Sequence, residues 1–69
     1  MNNGTYLKEM GAKIKHHRKF NRMTLQQVAD LSGINLSNMW FIEQGRRNVH
    51  ILSLKSIAEV FKIDVKDLL

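Results

Sequence analysis

The stretch TLQQVADLSGINLSNMWFIEQG, residues 24–45, carries two short helix patterns separated by a turn. Thr24 is followed three residues later by Gln27, which is the pattern of a capping box, where each side chain bonds the backbone N–H of the other residue. This pattern predicts a helix over residues 25–31. Its inward side chains are expected to be Val28, Ala29 and Leu31.

The second half of the stretch begins with a turn. Gly33 suits a turn that a Cβ would hinder, and Asn35 is a favourable N-cap. A helix is therefore predicted from residue 36 to about residue 44. Gly45 is expected to close this helix as the residue after the C-cap.

This second helix is apolar on two faces, although a helix of two or three turns needs only one face for the core. Met39 and Ile42 are three residues apart and share one face. Leu36 and Trp40 lie on another, and Phe41 fits either this second face or the core. The pattern raises the question of what the second face binds.

Three further helices are predicted in the rest of the chain. The first covers residues 6–20, where apolar residues form a stripe at helical spacing. Another covers residues 51–62, again with apolar residues at helical spacing, and a last short helix covers residues 65–69. Residues 1–5 are polar and contain a glycine, so we expect a flexible N-terminal tail. Residues 6–69 are expected to form one compact all-α domain of five helices.

Composition excludes several classes of protein. The chain has no Cys, so it has no disulfide bond and no thiolate to bind a metal. Its N-terminus lacks the pattern of a signal peptide. The longest apolar run, residues 39–42, is far too short to span a membrane. The sequence therefore predicts a cytoplasmic protein that does not associate with membranes.

Catalytic and metal-binding functions find little support. His16 and His17 are adjacent, so on a helix they diverge by about 100° and cannot hold one ion together. His50 has no partner at metal-ligand spacing. No phosphate-binding loop, paired-carboxylate motif or nucleophile elbow is present. We therefore expect no enzymatic activity, no cofactor, no metal and no small-molecule substrate.

Basic residues flank a middle segment that has none. Residues 1–23 contain six Lys or Arg and one Glu, and residues 46–69 contain five basic and three acidic residues. Residues 24–45 contain only two charged residues, both acidic. The net charge of +5 fits a small domain that binds nucleic acid, and charge that merely keeps the protein in solution is the alternative.

The two helices of residues 24–45, with the tight turn between them, form the pattern of a helix-turn-helix, whose second helix enters the DNA major groove. The segments MGAKIKHHRKFNRMTLQQVADLSGIN and IEQGRRN…LKSIAEVFKIDVKDLL resemble the two halves of the lambda-repressor-like DNA-binding domain. This resemblance covers residues 10–69. The segment GRRNV resembles in particular the controller proteins of restriction–modification systems.

The resemblance implies a transcriptional regulator that binds double-stranded DNA as a homodimer at an inverted repeat and is nucleoid-associated when bound. It implies base-reading positions at Asn35, Leu36, Ser37, Trp40, Phe41 and Gln44. It implies phosphate contacts from Thr24, Gln26, Arg46, Arg47 and Asn48. The dimer surface is expected near Val65, Leu68 and Leu69. An Arg late in the first helix pairs with a Glu late in the third in this family, which implies an ion pair between Arg18 and Glu43.

Four positions depart from the family pattern. Leu25 stands where the first residue of the second helix is often a Gln that contacts phosphate, which puts that contact in doubt. His17 replaces a usually apolar residue, and we expect it to be partly buried. Arg22 falls where a Gly or Asn often turns the chain, so strain or a shifted turn is predicted. His50 takes an N-cap position that is often Ser or Thr.

The predicted recognition helix has no Lys or Arg, so the bidentate contact between Arg and guanine is missing from its surface. Leu36, with Trp40 or Phe41, can pack against thymine methyl groups. Sequence readout is therefore predicted to lean toward thymine methyl groups and DNA shape. An alternative function is a protein-binding module, antitoxin-like or adaptor, that uses the face of Trp40 and Phe41 to bind another protein.

Overall fold

The computed structural model describes residues 3–69 and contains no strand among them. Four α-helices and one 3-10 helix follow one another: α1 Asn3–Phe20, α2 Leu25–Ser32, α3 Leu36–Glu43, α4 Ile51–Phe61 and the 3-10 helix Val65–Leu68. The all-α prediction is confirmed, but the fifth helix was predicted as a longer element. It is a single 3-10 turn with i→i+3 hydrogen bonds: the Asp67 N–H donates to the Asp64 carbonyl, and the Leu69 N–H donates to the Lys66 carbonyl. Short segments of this kind are typical of 3-10 helices.

The first helix begins earlier than predicted. It starts at Asn3 rather than at residue 6, so residues 3–5 are helical. The apolar stripe located only the packed part of α1, because the first turn of a helix needs no apolar contact of its own. Residues 1 and 2 of the predicted tail lie outside the described residues.

One core joins all the elements. α3 packs against α1 and α2, α4 packs against α2 and α1, and the 3-10 helix packs against α4 and α1. The core side chains are Ile14, Val28, Ala29, Met39, Ile42, Leu54, Ile57, Ala58, Phe61 and Leu68. Because α3 packs against both α1 and α2, its outward face has a fixed orientation in the molecule.

Leu31 was predicted to face inward, and that prediction is wrong. Val28 and Ala29 are buried, but Leu31 is 67% exposed. With 3.6 residues per turn, Leu31 lies about 200° around the helix from Ala29. A helix of eight residues that packs through Val28 and Ala29 therefore turns Leu31 toward solvent.

The caps predicted between α2 and α3 are present. The Thr24 hydroxyl accepts from the Gln27 N–H at 3.1 Å, and the Gln27 amide oxygen accepts from the Thr24 N–H at 2.8 Å. Gly33 ends α2 with φ of +76°, a conformation that a Cβ disfavours. The Asn35 amide oxygen then accepts from the Asn38 N–H at 2.7 Å and starts α3.

Two other helices end at a left-handed residue that is not glycine. Arg22 has φ of 55° and Lys62 has φ of 57°. After α1, the Met23 N–H donates to the Arg18 carbonyl at 3.0 Å, so the chain closes a Schellman-type turn despite the Cβ of Arg22. The strain predicted at Arg22 from the family pattern therefore corresponds to its left-handed backbone conformation.

No helix in the described part of the chain is long and apolar enough to cross a membrane.

Candidate nucleic-acid interface

An ion pair fixes the C-terminal end of α3 against α1. Arg18 Nε donates to Glu43 Oε2 at 2.7 Å, and Arg18 Nη2 donates to Glu43 Oε1 at 3.1 Å. The two side chains are 14% and 3% exposed. Arg18 Nη1 also donates to the Met23 carbonyl at 3.0 Å. The predicted pair of Arg18 and Glu43 is thus present, and it also holds the turn that leads into α2.

Gly11 and Gly45 allow α1 and the C-terminal end of α3 to approach closely. The sequence did not lead to a prediction for Gly11. A Cβ on Gly11 would lie 2.5 Å from the Ile42 carbonyl oxygen and 2.6 Å from that of Glu43. A Cβ on Gly45 would lie 2.6 Å from Lys8 Cα. The signal for Gly11 was available, because an isolated Gly within a helical pattern often has a packing reason.

The outward face of α3 is apolar at its centre. Leu36 and Trp40 are 42% and 44% exposed, and Phe41 is half-buried. The rings of Trp40 and Phe41 meet edge to face, with centroids 5.1 Å apart and planes at 81°. An open depression of about 350 Å³ is lined by Leu25, Leu36, Ser37, Trp40 and Phe41. Of the predicted base-reading residues, four therefore share one surface feature.

The other two predicted base-reading residues lie at the ends of α3. Asn35 and Gln44 are both exposed. The Asn35 amide oxygen is engaged as the N-cap, which leaves its amide N–H₂ free to donate outward. Gln44 is the C-cap, and its side chain carries both an acceptor and a donor.

Two exposed arginines follow directly after α3. The Gly45 N–H donates to the Ile42 carbonyl at 3.1 Å, and the Arg46 N–H donates to the Phe41 carbonyl at 2.9 Å. These two bonds form a Schellman motif that fixes the direction in which the chain leaves α3. Arg46 is therefore held at the C-terminal end of the outward face by its own backbone.

Arg47 returns toward α3, which the sequence did not predict. Its guanidinium carbon lies 4.9 Å from the centre of the Phe41 ring, within the range of a cation–π contact. Its Nη1 donates to the Asn38 amide oxygen. Phe41 therefore contacts both Trp40 and Arg47, and it links the apolar centre of the face to its basic edge.

The remaining predicted phosphate residues are exposed and hydrogen-bonded locally. Thr24 is engaged in its capping box. The Gln26 amide donates to Asp30 Oδ1 at 2.8 Å, and the Asn48 amide oxygen accepts from the Val49 N–H at 2.9 Å. The Thr24 hydroxyl and the side-chain amides of Gln26 and Asn48 each have a further hydrogen that can be donated to a phosphate. They lie at the start of α2 and after α3, on either side of the apolar centre in sequence.

The predicted dimer surface needs a correction. Leu68 is fully buried in the core of its own chain, so the prediction that its side chain contacts a partner is wrong. The one-turn 3-10 helix packs Leu68 inward and leaves Leu69 63% exposed. Val65 is partly buried against the core.

The histidines have structural partners. The His17 ring stacks on Phe61 with centroids 5.9 Å apart, as expected for a partly buried side chain. His50 Nδ1 accepts from the Leu52 N–H at 3.1 Å and caps α4. Within residues 3–69, no three His, Asp or Glu side chains lie together in a group that could hold a metal ion.

Comparison with solved structures identifies the fold. The chain superimposes on the restriction–modification controller protein C.AhdI from Aeromonas hydrophila with a TM-score of 0.89 and 25% identity, over 91% of this chain and 96% of that one. The chain has a lambda-repressor-like helix-turn-helix fold. The resemblance to the lambda-repressor-like domain that the sequence indicated is thereby confirmed.

Two further structures share this helix-turn-helix fold. The clp gene regulator ClgR from Corynebacterium glutamicum gives a TM-score of 0.88 at 24% identity, over 91% of this chain and 67% of that one. An HTH_3 family transcriptional regulator from Vibrio cholerae gives 0.89 at 21% identity, and this chain spans 38% of its length. No protein-family model and no curated protein matches the sequence.

Proposed function

We propose that this chain is a transcriptional regulator that binds a specific double-stranded DNA sequence, with α3 in the major groove. The observation that carries the proposal is the composition of one surface. The outward face of α3 is free of charge, and two exposed arginines stand at its end. Three structures with the same fold are a controller protein and two regulators, which supports the same function.

Phosphate contacts and base contacts are assigned to different residues. Phosphate contacts position a protein on DNA, and contacts with base edges give specificity. Arg46 and Arg47 supply the positive charge that phosphates attract, and Thr24 and Gln26 add donors at the start of α2. The side chains that face outward from α3 then meet the base edges. These are Asn35, Leu36, Ser37, Trp40, Phe41 and Gln44.

We further propose that the protein binds as a homodimer to an inverted repeat. One α3 of eight residues contacts few base pairs, and two copies double the sequence that is recognised. Half-sites are then about one helical turn apart, roughly 34 Å. Leu69 and the exposed part of Val65 are the residues of the predicted dimer surface that remain available.

A second candidate function is supported by the same depression. Exposed Leu36 and Trp40 form an apolar surface of the kind that docks proteins, and a protein-binding module would use it for a partner. The two functions differ in their response to salt. DNA binding weakens with a slope of log affinity against log salt of about −0.9 for each phosphate neutralised, whereas apolar docking is nearly insensitive to salt.

Selection from a random pool of duplex DNA at about 150 mM salt tests the proposal. Enrichment of an inverted repeat is the expected result. Salt titration of the enriched duplex should then show the slope of the Arg46→Ala variant reduced by about two, one for each protomer of the proposed dimer. Lys55→Ala is the matched control, because Lys55 is exposed on α4 and belongs neither to the proposed phosphate contacts nor to the proposed dimer surface. Folded protein that enriches no duplex would contradict the proposal.

A further inference from the structure

The depression on the outward face joins both helices of the helix-turn-helix. Leu25 is the first residue of α2, and it forms a wall together with residues from the first two turns of α3. The side chain of Leu25 makes this edge of the depression apolar.

We propose that this depression receives the C5-methyl group of a pyrimidine in the major groove, so that the protein distinguishes thymine from uracil and 5-methylcytosine from cytosine. The proposal rests on the proposed function, because a methyl group reaches the depression only when α3 lies in the groove. It goes further by stating which chemical group is recognised and by which side chains.

The chemistry of the lining selects the occupant. α3 carries no Lys or Arg, and Arg47 beside it is held by Asn38 and the Phe41 ring. Among the groups that base edges present in the major groove, the C5-methyl group is the apolar one. The exposed arginines after α3 favour a phosphate-bearing partner over an apolar protein surface, so the apolar occupant is a group carried by DNA.

The wall of the depression is built before any ligand arrives. The Trp40 ring packs edge to face on Phe41, and Phe41 is in turn half-buried and contacted by Arg47. Binding to a wall that is already ordered costs less conformational entropy than binding to free side chains.

Ser37 makes the depression tolerant of either methylated pyrimidine. Next to the methyl group, thymine presents the O4 acceptor and cytosine presents the N4 amino donor. A serine hydroxyl both donates and accepts, so it fits either neighbour. We therefore expect 5-methylcytosine to substitute for thymine at the contacted position, and unmethylated cytosine and uracil to bind less well.

The test uses the duplex enriched by selection, with each thymine replaced in turn by deoxyuridine, and binding measured by fluorescence anisotropy. Loss of the contacted methyl group is expected to weaken binding about fourfold, as for one buried methylene. Changing the T·A pair that carries this methyl group to C·G should also weaken binding. Placing 5-methylcytosine in the C·G duplex should recover about fourfold.

Two variants assign the effect to the depression. Leu36→Ala and Trp40→Ala remove the wall at partly exposed positions, and circular dichroism checks that each is folded. Both should bind the thymine and deoxyuridine duplexes almost equally. Leu31→Ala is the matched control, since Leu31 is exposed on α2 and does not line the depression, and it should keep the fourfold difference.

The outcomes are separable. If the selected duplex binds and no thymine methyl group affects affinity, the methyl proposal fails and the proposed function stands. The methyl proposal also fails if the difference persists in Leu36→Ala and Trp40→Ala. If folded protein binds no duplex, both proposals fail.

Discussion

Removing Glu43 should strand a charge inside the protein. Arg18 is 14% exposed and Glu43 is 3% exposed at the side chain, so neither group reaches full hydration when its partner is lost. Breaking a buried pair costs about 3–5 kcal/mol. Arg18 keeps its bond to the Met23 carbonyl, which places Glu43→Leu near the lower end, at about 3 kcal/mol.

This loss is large for a chain of 69 residues, whose total stability should be about 3–10 kcal/mol. Urea denaturation followed by circular dichroism at 222 nm measures it. The double variant Arg18→Met, Glu43→Leu should recover most of the loss, because an apolar pair of similar volume leaves no charge unpaired. It should remain about 1 kcal/mol below the original protein, since the bond to the Met23 carbonyl is also lost.

Glu59→Leu is the matched control for the same chemical change. Glu59 is exposed on α4, and its replacement should change stability by less than about 0.5 kcal/mol. The reasoning is refuted if Glu43→Leu is as mild as Glu59→Leu. It is also refuted if the double variant is less stable than Glu43→Leu alone.

Three further changes test other parts of the structure. Gly11→Ala should lower stability by about 1–2 kcal/mol in urea denaturation, because overpacking against the α3 carbonyls exceeds the gain in helix propensity; equal or higher stability would contradict the close approach. Arg22→Gly should raise the free energy of unfolding by about 1 kcal/mol, and with it the thermal midpoint, because glycine adopts the left-handed conformation without strain. A lower midpoint would argue against strain at this position. Leu69→Asp should shift any dimer toward monomer in sedimentation velocity, and an unchanged dimer would place the interface elsewhere.

Local patterns were predictable because they depend on residues close in sequence. The capping box of Thr24 and Gln27 and the N-cap of Asn35 follow from spacings of three residues, and each is present. The pair of Arg18 and Glu43 spans 25 residues. It was accessible only through resemblance to a family in which matching positions pair.

Features that depend on how helices meet were missed. The direction of Leu31 and the burial of Leu68 depend on which arc of a short helix the core covers, and apolar character alone does not fix that arc. Gly11 is required because backbone carbonyls of α3 approach it. The position of Arg47 over Phe41 depends on the turn that Gly45 makes after α3.

Trp40 offers the most direct test, because it is the one Trp of the chain and lies at the centre of the face that is proposed to meet DNA. Acrylamide quenching of its fluorescence would be measured for the free protein and for the protein saturated with the selected duplex. We expect Trp40, which is 44% exposed in the free protein, to become shielded by the duplex and the Stern–Volmer constant to fall. A duplex that binds tightly and specifically while Trp40 stays as accessible as in the free protein would contradict α3 in the major groove.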